Sequence, residues 1–229
     1  LPDDRTLALP YMRLDLLQDD YVTAHNLDQI GRTEDLRFGT QLSAELGVSQ
    51  AALGANRNAF VASLGASRGY RLVRLHLDSM DRVRSRYFWR ASGKTVLFVG
   101  FAADKGSALD LDHELMLGGD TGLRGYPLRY QTGTARALLT VEGRYFTNWY
   151  PLRLARVGAA VFADIGRTWG ASALAVPELG TLRDVGIGLR FGNTRSALGN
   201  VLHVDLAFPL DGDPSVKSMQ FLLKTYKSF

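Results

Sequence analysis

The sequence has 229 residues, of which 46% are hydrophobic and 22% charged, a balance that excludes a disordered tail. It contains no run of about 18 uncharged apolar residues, so transmembrane helices are excluded, whereas the alternating strands of a membrane β-barrel are not. The net charge of +4 is spread without a basic cluster, and the absence of cysteine excludes disulfides and cysteine metal sites. Leu1 opens no signal-peptide pattern, so we expect a mature protein or an excised portion of a longer one.

Upstream of residue 106, alternating apolar and polar residues predict β-strands of uneven quality. In the last of them, Leu97, Val99 and Phe101 share one face. The predicted strands cover 7–26 (one long or bulged strand), 35–48, 57–65, 73–78, 83–90 and 97–101.

From residue 133 onward the alternation is regular. In the segment 156–167, for example, Val157, Val161 and Ile165 fall on one face, and Asp164 falls on the other with several glycine and alanine residues. The predicted strands cover 136–146, 156–167, 184–191, 202–210 and 218–229. We therefore expect an all-β, antiparallel fold with eleven strands, or twelve if the first strand splits.

The two faces of these strands differ in composition. One face carries long uncharged rows with aromatic residues near the strand ends, as a lipid-facing belt with interfacial aromatic girdles would. The other face mixes glycine with isolated charges, which suits a wet lumen better than a dry core. The pattern favours one transmembrane β-barrel domain over residues 1–229, and a soluble β-sandwich binding module is the alternative from another class.

Residues 106–132 interrupt the alternation around the stretch GGDTGLRGYP (118–127). Glycine-rich phosphate loops lead into a helix, and a strand follows here, so nucleotide binding is not predicted. The glycines instead predict a loop that doubles back and presents Arg124. An arginine inside a barrel needs an acidic partner, and the inward faces of the next two strands offer Glu142 and Asp164. Spacing alone does not distinguish these two residues from ordinary lumen charges.

Catalytic and metal sites find no support in the sequence. The cluster of mostly acidic residues before the stretch GGDTGLRGYP lacks the glycine of a calcium loop, and its members are Asp110, Asp112, His113 and Glu114. The four histidines are scattered, and no serine lies in a G-x-S-x-G elbow. We therefore predict no enzymatic activity, no metal, no cofactor and no nucleic-acid partner.

Two motifs together resemble a known superfamily. The first is an (L/V)RG(F/Y) loop and the second an FxDxG strand, formed here by Leu123, Arg124, Gly125 and Tyr126 and by Phe162, Asp164 and Gly166. With five strands after the loop, the chain resembles the outer-membrane assembly and translocation barrels. This bacterial surface antigen superfamily includes BamA, TamA, the two-partner secretion transporters and the patatin-fused autotransporters. The specific part of the resemblance covers about 118–229.

The resemblance implies the C-terminal part of a sixteen-stranded barrel in the bacterial outer membrane, with the loop 106–132 folded into the lumen. It also implies that Arg124 pairs with Asp164, with a supporting contact from Glu142. The implied function is polypeptide translocation or insertion of outer-membrane proteins. An anchor or export conduit for a fused passenger, such as a patatin-like lipase, is the alternative within the superfamily. The implied partners are outer-membrane lipids, polypeptide cargo and the assembly machinery.

The C-terminal segment MQFLLKTYKSF resembles the signal by which outer-membrane barrels are recognised for insertion. Phe221, Leu223 and the terminal Phe229 fit its alternating apolar positions. Lys227 stands where an aromatic residue is usual, and Tyr226 is out of phase. We expect the assembly machinery to recognise this strand.

Overall fold

The computed structural model describes residues 8–56, 58–70, 73–78, 82–106, 114–170, 179–193, 201–211, 214 and 216–226. Over these residues the protein is all-β and antiparallel, as predicted. The strands are β1 Tyr11–Leu17, β2 Tyr21–His25, β3 Thr33–Arg37, β4 Gln41–Ser49, β5 Ala59–Tyr70, β6 Val73–Asp78, β7 Arg82–Arg90, β8 Thr95–Lys105, β9 Leu115–Leu117, β10 Gln131–Gly133, β11 Ala135–Phe146, β12 Ala155–Trp169, β13 Leu182–Asn193, β14 Val201–Pro209 and β15 Gln220–Tyr226. In these described ranges, no helix is long and apolar enough to cross a membrane.

Eleven of the strands form one antiparallel sheet in the order β1-β4-β5-β6-β7-β8-β11-β12-β13-β14-β15. Each neighbour in this order follows the previous one along the chain, apart from two insertions that form separate two-stranded sheets, β2 with β3 and β9 with β10. In the described part of the chain, β1 and β15 are the sheet's two hydrogen-bonding edges, so the sheet is open.

The strand count differs from the prediction for three reasons. The segment 7–26 divides into β1 and β2, which was the alternative that gives twelve strands, whereas the segment 35–48 was wrong in its extent and divides between β3 and β4. The short strands β9 and β10 lie inside the predicted loop, so the described residues form fifteen strands instead of eleven or twelve. Both divisions occur where the sequence disfavours an extended strand, at Asp19-Asp20 and at Gly39. There the N–H of Gln18 donates to Thr40 O at 2.8 Å and the N–H of Phe38 donates to Asp20 O at 2.7 Å. These bonds turn the chain out of the main sheet and back into it.

One face of the main sheet surrounds a cavity of about 400 Å³, lined by side chains from β7, β8, β11, β12, β14 and β15. The sheet therefore curves around this face, which we call the inner face. In the middle of the strands, charged side chains lie on the inner face and apolar side chains lie on the outer face, which is the reverse of the polarity of a water-soluble fold. On β12, Val161 points outward and is 61% exposed, whereas Asp164 points inward and is 2% exposed.

The inner face is arranged in three layers along the strands. One end holds a cluster in which Leu27 and Ile30, from the connection between β2 and β3, pack with strand residues; we call it the hairpin cluster, because β2 and β3 form an antiparallel hairpin. The other end holds the loop cluster, formed by Leu117, Leu123, Tyr126 and Leu182. Between them lies the charged layer, whose members are Arg124, Glu142, Arg144, Asp164, Arg190 and Asp205. Strand β11 crosses all three layers, with Phe146 in the hairpin cluster, Glu142 and Arg144 in the charged layer, and Leu138 against the loop cluster.

Candidate functional site

The described part of the predicted loop, residues 114–132, lies against the inner face. It rises through β9, makes a 3-10 turn at Gly119–Thr121, and returns through β10, which pairs with β9. Its base is attached by Arg136 to the main sheet, which we call the wall. Arg136 Nη1 donates to Met116 O at 2.6 Å, and Arg136 Nε pairs with Asp104. Arg84 of β7 pairs with the same Asp104 carboxylate at 2.6 Å. The loop therefore starts from a charged anchor shared by three strands.

The tip of the loop has a strained backbone that burial holds in place. Leu123 has φ 59°, in the left-handed region that leucine rarely adopts, and Gly122 before it has φ 106°. The N–H groups of Gly118 and Gly119 donate to the carbonyls of Gly122 and Leu123 at 2.9 and 3.1 Å. The Leu123 side chain is 1% exposed within the loop cluster. Its burial offsets the strain and directs the next residue, Arg124, toward the charged layer.

Arg124 binds carboxylates from three strands. Its Nε and Nη2 donate to the two oxygens of Asp164 at 2.8 and 3.1 Å, a bidentate pair. Its Nη1 donates to Glu142 at 2.8 Å and contacts Asp205 at 3.4 Å. Burial by itself would lower the pKa of Arg124, but the carboxylates of Asp164 and Glu142 outweigh it and raise that pKa above its usual value. The guanidinium thus joins β11, β12 and β14 to the loop.

The residues of the FxDxG motif all face this loop. The Arg124 Cζ lies 3.4 Å from the centroid of the Phe162 ring, a cation–π contact. Gly166 leaves room for Leu117, since a Cβ at Gly166 would lie 3.1 Å from Leu117 Cδ1. The structure therefore brings the three motif positions, Phe162, Asp164 and Gly166, against the same segment.

Gly125 and Tyr126 fix the loop beyond the arginine. Gly125 packs so closely on the wall that an added Cβ would lie 2.6 Å from Asp184 Cβ and 2.9 Å from Pro209 N. The Tyr126 hydroxyl donates to Arg183 O at 2.9 Å and also contacts Asp211 O. Burial raises the pKa of Tyr126 above its usual value. Every residue of the Leu-Arg-Gly-Tyr motif therefore has a contact to the wall.

The charged layer extends beyond the residues singled out from the sequence. Arg144 donates to Glu142 at 3.0 Å, and Arg190 pairs with Glu142 at 3.2 Å and with Asp205. Asp205 was missed as a partner of Arg124, although the alternation of β14 places it on the inward face. Its inward position in the alternation could have identified it, because inward-facing residues at the same level along neighbouring strands lie in one layer.

The remaining predicted residues divide into two groups. Phe221 and Leu223 of the predicted insertion signal lie on β15 and are exposed on the outer face, while Phe229 lies outside the described residues. Of the acidic cluster set aside above, Asp110, Asp112 and His113 also lie outside them. Within the described ranges, no group of three or more histidine, aspartate or glutamate residues is placed to hold a metal ion.

What the site does chemically is to hold the tip of the loop against the sheet by buried ion pairs. Three guanidinium groups and three carboxylates, largely shielded from water, connect a loop tip to four neighbouring strands of a curved sheet. Comparison with known proteins adds no family: no protein-family model matches the chain, and no curated protein matches it significantly.

Proposed function

We propose that this chain forms the wall of a bacterial outer-membrane β-barrel that translocates polypeptides or inserts them into the membrane. The observation that carries the proposal is the reversed polarity of the sheet. On β13, Val185, Ile187 and Leu189 point outward and are exposed, whereas Asp184 and Arg190 point inward and are buried. Water penalises such an exposed apolar surface, while a lipid bilayer stabilises it.

Strand length and aromatic positions also support a membrane wall. Strands β8, β11, β13 and β14 have 11, 12, 12 and 9 residues, close to the span of about 9–11 residues for a tilted transmembrane strand. Trp89, Tyr145 and Trp149 are exposed near one end of the strands, and Trp169 is exposed at the other. Aromatic residues at both ends are typical of the two membrane interfaces.

In this proposal the wall closes into the sixteen-stranded barrel of the superfamily that the motifs resemble, with the loop in its lumen. The contacts of Arg124 hold β11, β12 and β14 in fixed register relative to the loop. Opening for cargo then concentrates at the seam between the first and last strands. In the described part of the chain the ion pairs of Arg124 join β11, β12 and β14, whereas β15 contacts the loop through a hydrogen bond from Lys224 to Asp120 O. The partners are outer-membrane lipids, polypeptide cargo and the assembly machinery that recognises β15.

The membrane wall is tested by placing a charge on the outer face. Val161 lies near the middle of β12, and Val161→Arg should destabilise the protein in lipid vesicles by about 2–4 kcal/mol, the cost of a cation at the bilayer midplane. The matched control is Val22→Arg on β2, because Val22 is also exposed but lies outside the main sheet. Urea unfolding followed by tryptophan fluorescence measures both. If both variants lower the free energy of unfolding by an equal, small amount, the outer face does not contact lipid and the result favours a soluble sheet.

The role of the loop is tested by charge reversal. We expect Arg124→Asp to abolish assembly and transport, because it places a fourth carboxylate among Asp164, Glu142 and Asp205. Adding Asp164→Arg restores an opposite-charge pair and should recover part of the activity. Full activity of Arg124→Asp alone would exclude the stabilising role of the loop.

A further inference from the structure

A second insertion enters the inner face from the end opposite the loop. It consists of β2, β3 and their connection 26–32, which we call the hairpin and its tip. In the described part of the chain, β2 and β3 pair only with each other. The hairpin is joined to β1 and β4 through the short segments 18–20 and 38–40. It is thus a small unit beside the wall that can move without breaking the ladder of the main sheet.

The tip of the hairpin is docked into the wall by apolar contacts. Leu27 and Ile30 are buried against strand residues at this end, which are Phe88, Val96, Phe146 and Val201. Two glycines make room for Ile30: a Cβ at Gly158 or Gly192 would lie 3.3 or 3.1 Å from atoms of its side chain. The hairpin therefore reaches from β1 and β4 across the inner face to β12, β13 and β14.

The tip also has its own internal structure. The buried Glu34 carboxylate accepts hydrogen bonds from the N–H groups of Leu27, Asp28 and Gln29 at 2.8, 3.1 and 3.1 Å. The Asn26 side chain accepts another from the N–H of Gly31. Because these bonds lie within the hairpin, they do not depend on whether the tip is docked.

An ion-pair chain connects the hairpin to the loop. Arg144 Nη1 donates to Leu27 O at 2.8 Å and to Asp28 at 2.9 Å, while its Nε donates to one oxygen of Glu142 at 3.0 Å. The other oxygen of Glu142 accepts from Arg124 at 2.8 Å. The two insertions are therefore linked through Glu142, which contacts Arg124 of the loop directly and the hairpin through Arg144, although they come from opposite ends of the strands.

We propose that the hairpin is a reversible plug for the end of the lumen opposite the loop, and that each insertion stabilises the docking of the other through Glu142. The inference rests on the proposed function, since a plug matters where a polypeptide passes. Undocking frees Arg144 from Asp28, lets its guanidinium compete with Arg124 for Glu142, and so weakens the loop. Cargo entering from the hairpin end would thereby release both insertions in sequence.

Hydrogen exchange tests the coupling without relying on transport. In Asp28→Arg the new guanidinium faces Arg144 and Arg86, so we expect amides of residues 27–31 and of 118–126 to exchange at least about fivefold faster than in the native protein. Asp35→Arg is the matched control, because it makes the same charge change at an exposed position of the same hairpin. Unchanged exchange in the tip, or faster exchange confined to the tip, overturns the proposal.

A disulfide lock tests the plug itself. The chain has no cysteine, and an ideal Cβ at Gly192 lies 3.1 Å from Ile30 Cβ, a few tenths short of the usual separation of about 3.5–4.5 Å in disulfides. The double variant Ile30→Cys with Gly192→Cys, reconstituted in vesicles, should conduct ions when reduced and conduct much less when oxidised. Equal conductance in both states overturns the plug. An absence of conductance in every variant counts against the proposed function, and hydrogen exchange then still decides the docking and its coupling.

Discussion

The loop and the hairpin fill the same inner face in chemically different ways. The loop docks mainly through charge: Arg124 meets three carboxylates, and the backbone at Gly125 touches the wall directly. The hairpin docks mainly through apolar burial of Leu27 and Ile30, with Asp28 as its principal ionic contact. The ionic docking requires one geometry, because a buried charge without its partner is costly. The apolar docking tolerates displacement better, because its energy depends on area more than on direction.

The largest expected effect comes from removing the loop's charge. Arg124→Ala removes one cation from Glu142 and Asp205, which keep Arg190, and takes the bidentate partner from the buried Asp164. We expect a loss of about 3–5 kcal/mol in the free energy of unfolding. Urea unfolding in vesicles measures it, with Arg129→Ala as control, because Arg129 is exposed in the same loop. Similar losses in both variants would mean that the ion pairs do not hold the loop.

Removing the hairpin's apolar contact should cost a little less. Ile30→Ala deletes buried atoms from the hairpin cluster, with an expected loss of about 2–5 kcal/mol that depends on how far the tip collapses into the space. Val22→Ala, at an exposed position of the same hairpin, should change the same unfolding energy by less than about 0.5 kcal/mol. If the hairpin were undocked in the native protein, the two variants would lower the free energy of unfolding by the same amount.

The close approach of the loop backbone predicts a smaller effect. Gly125→Ala inserts a methyl group where Asp184 and Pro209 leave no space, and we expect a loss of about 1–3 kcal/mol from overpacking. At Gly93 an added Cβ meets nothing within 4 Å, so Gly93→Ala is the matched control. Thermal unfolding of the two variants measures the difference, and no penalty at Gly125 would contradict the packing described for the loop.

The smallest expected effect is that of one hydroxyl group. Tyr126→Phe removes the hydrogen bond to Arg183 O and should cost about 0.5–1.5 kcal/mol at neutral pH. Because burial raises the pKa of Tyr126, its contribution is complete below the unfolded value of about 10 and is lost as the pH rises through the folded value. Unfolding at several alkaline pH values measures this loss. Tyr130→Phe is the control, because the Tyr130 hydroxyl has no hydrogen-bond partner among the described residues.

How much the sequence predicts differs between the two halves of the sheet. From residue 133 onward, strand positions and inward phases follow from alternation alone, and the same alternation assigns Glu142 and Asp164 to the inward face. In the first 50 residues the alternation predicted strands that continue through Asp19-Asp20 and Gly39, where the structure has breaks. A two-residue period identifies which residues share a face, but it does not show where a chain leaves one sheet for another.

The sequence by itself determined the two faces of the strands and the choice of Arg124 as the cation to be paired, since period and motif are local properties. Alternation places Asp205 on the inward face, but the tertiary structure alone decided that it contacts Arg124 and that Asp28 meets Arg144, 116 residues further along the chain. Such contacts arise when a curved sheet brings distant strand ends around one cavity, and curvature is set by packing of the whole wall.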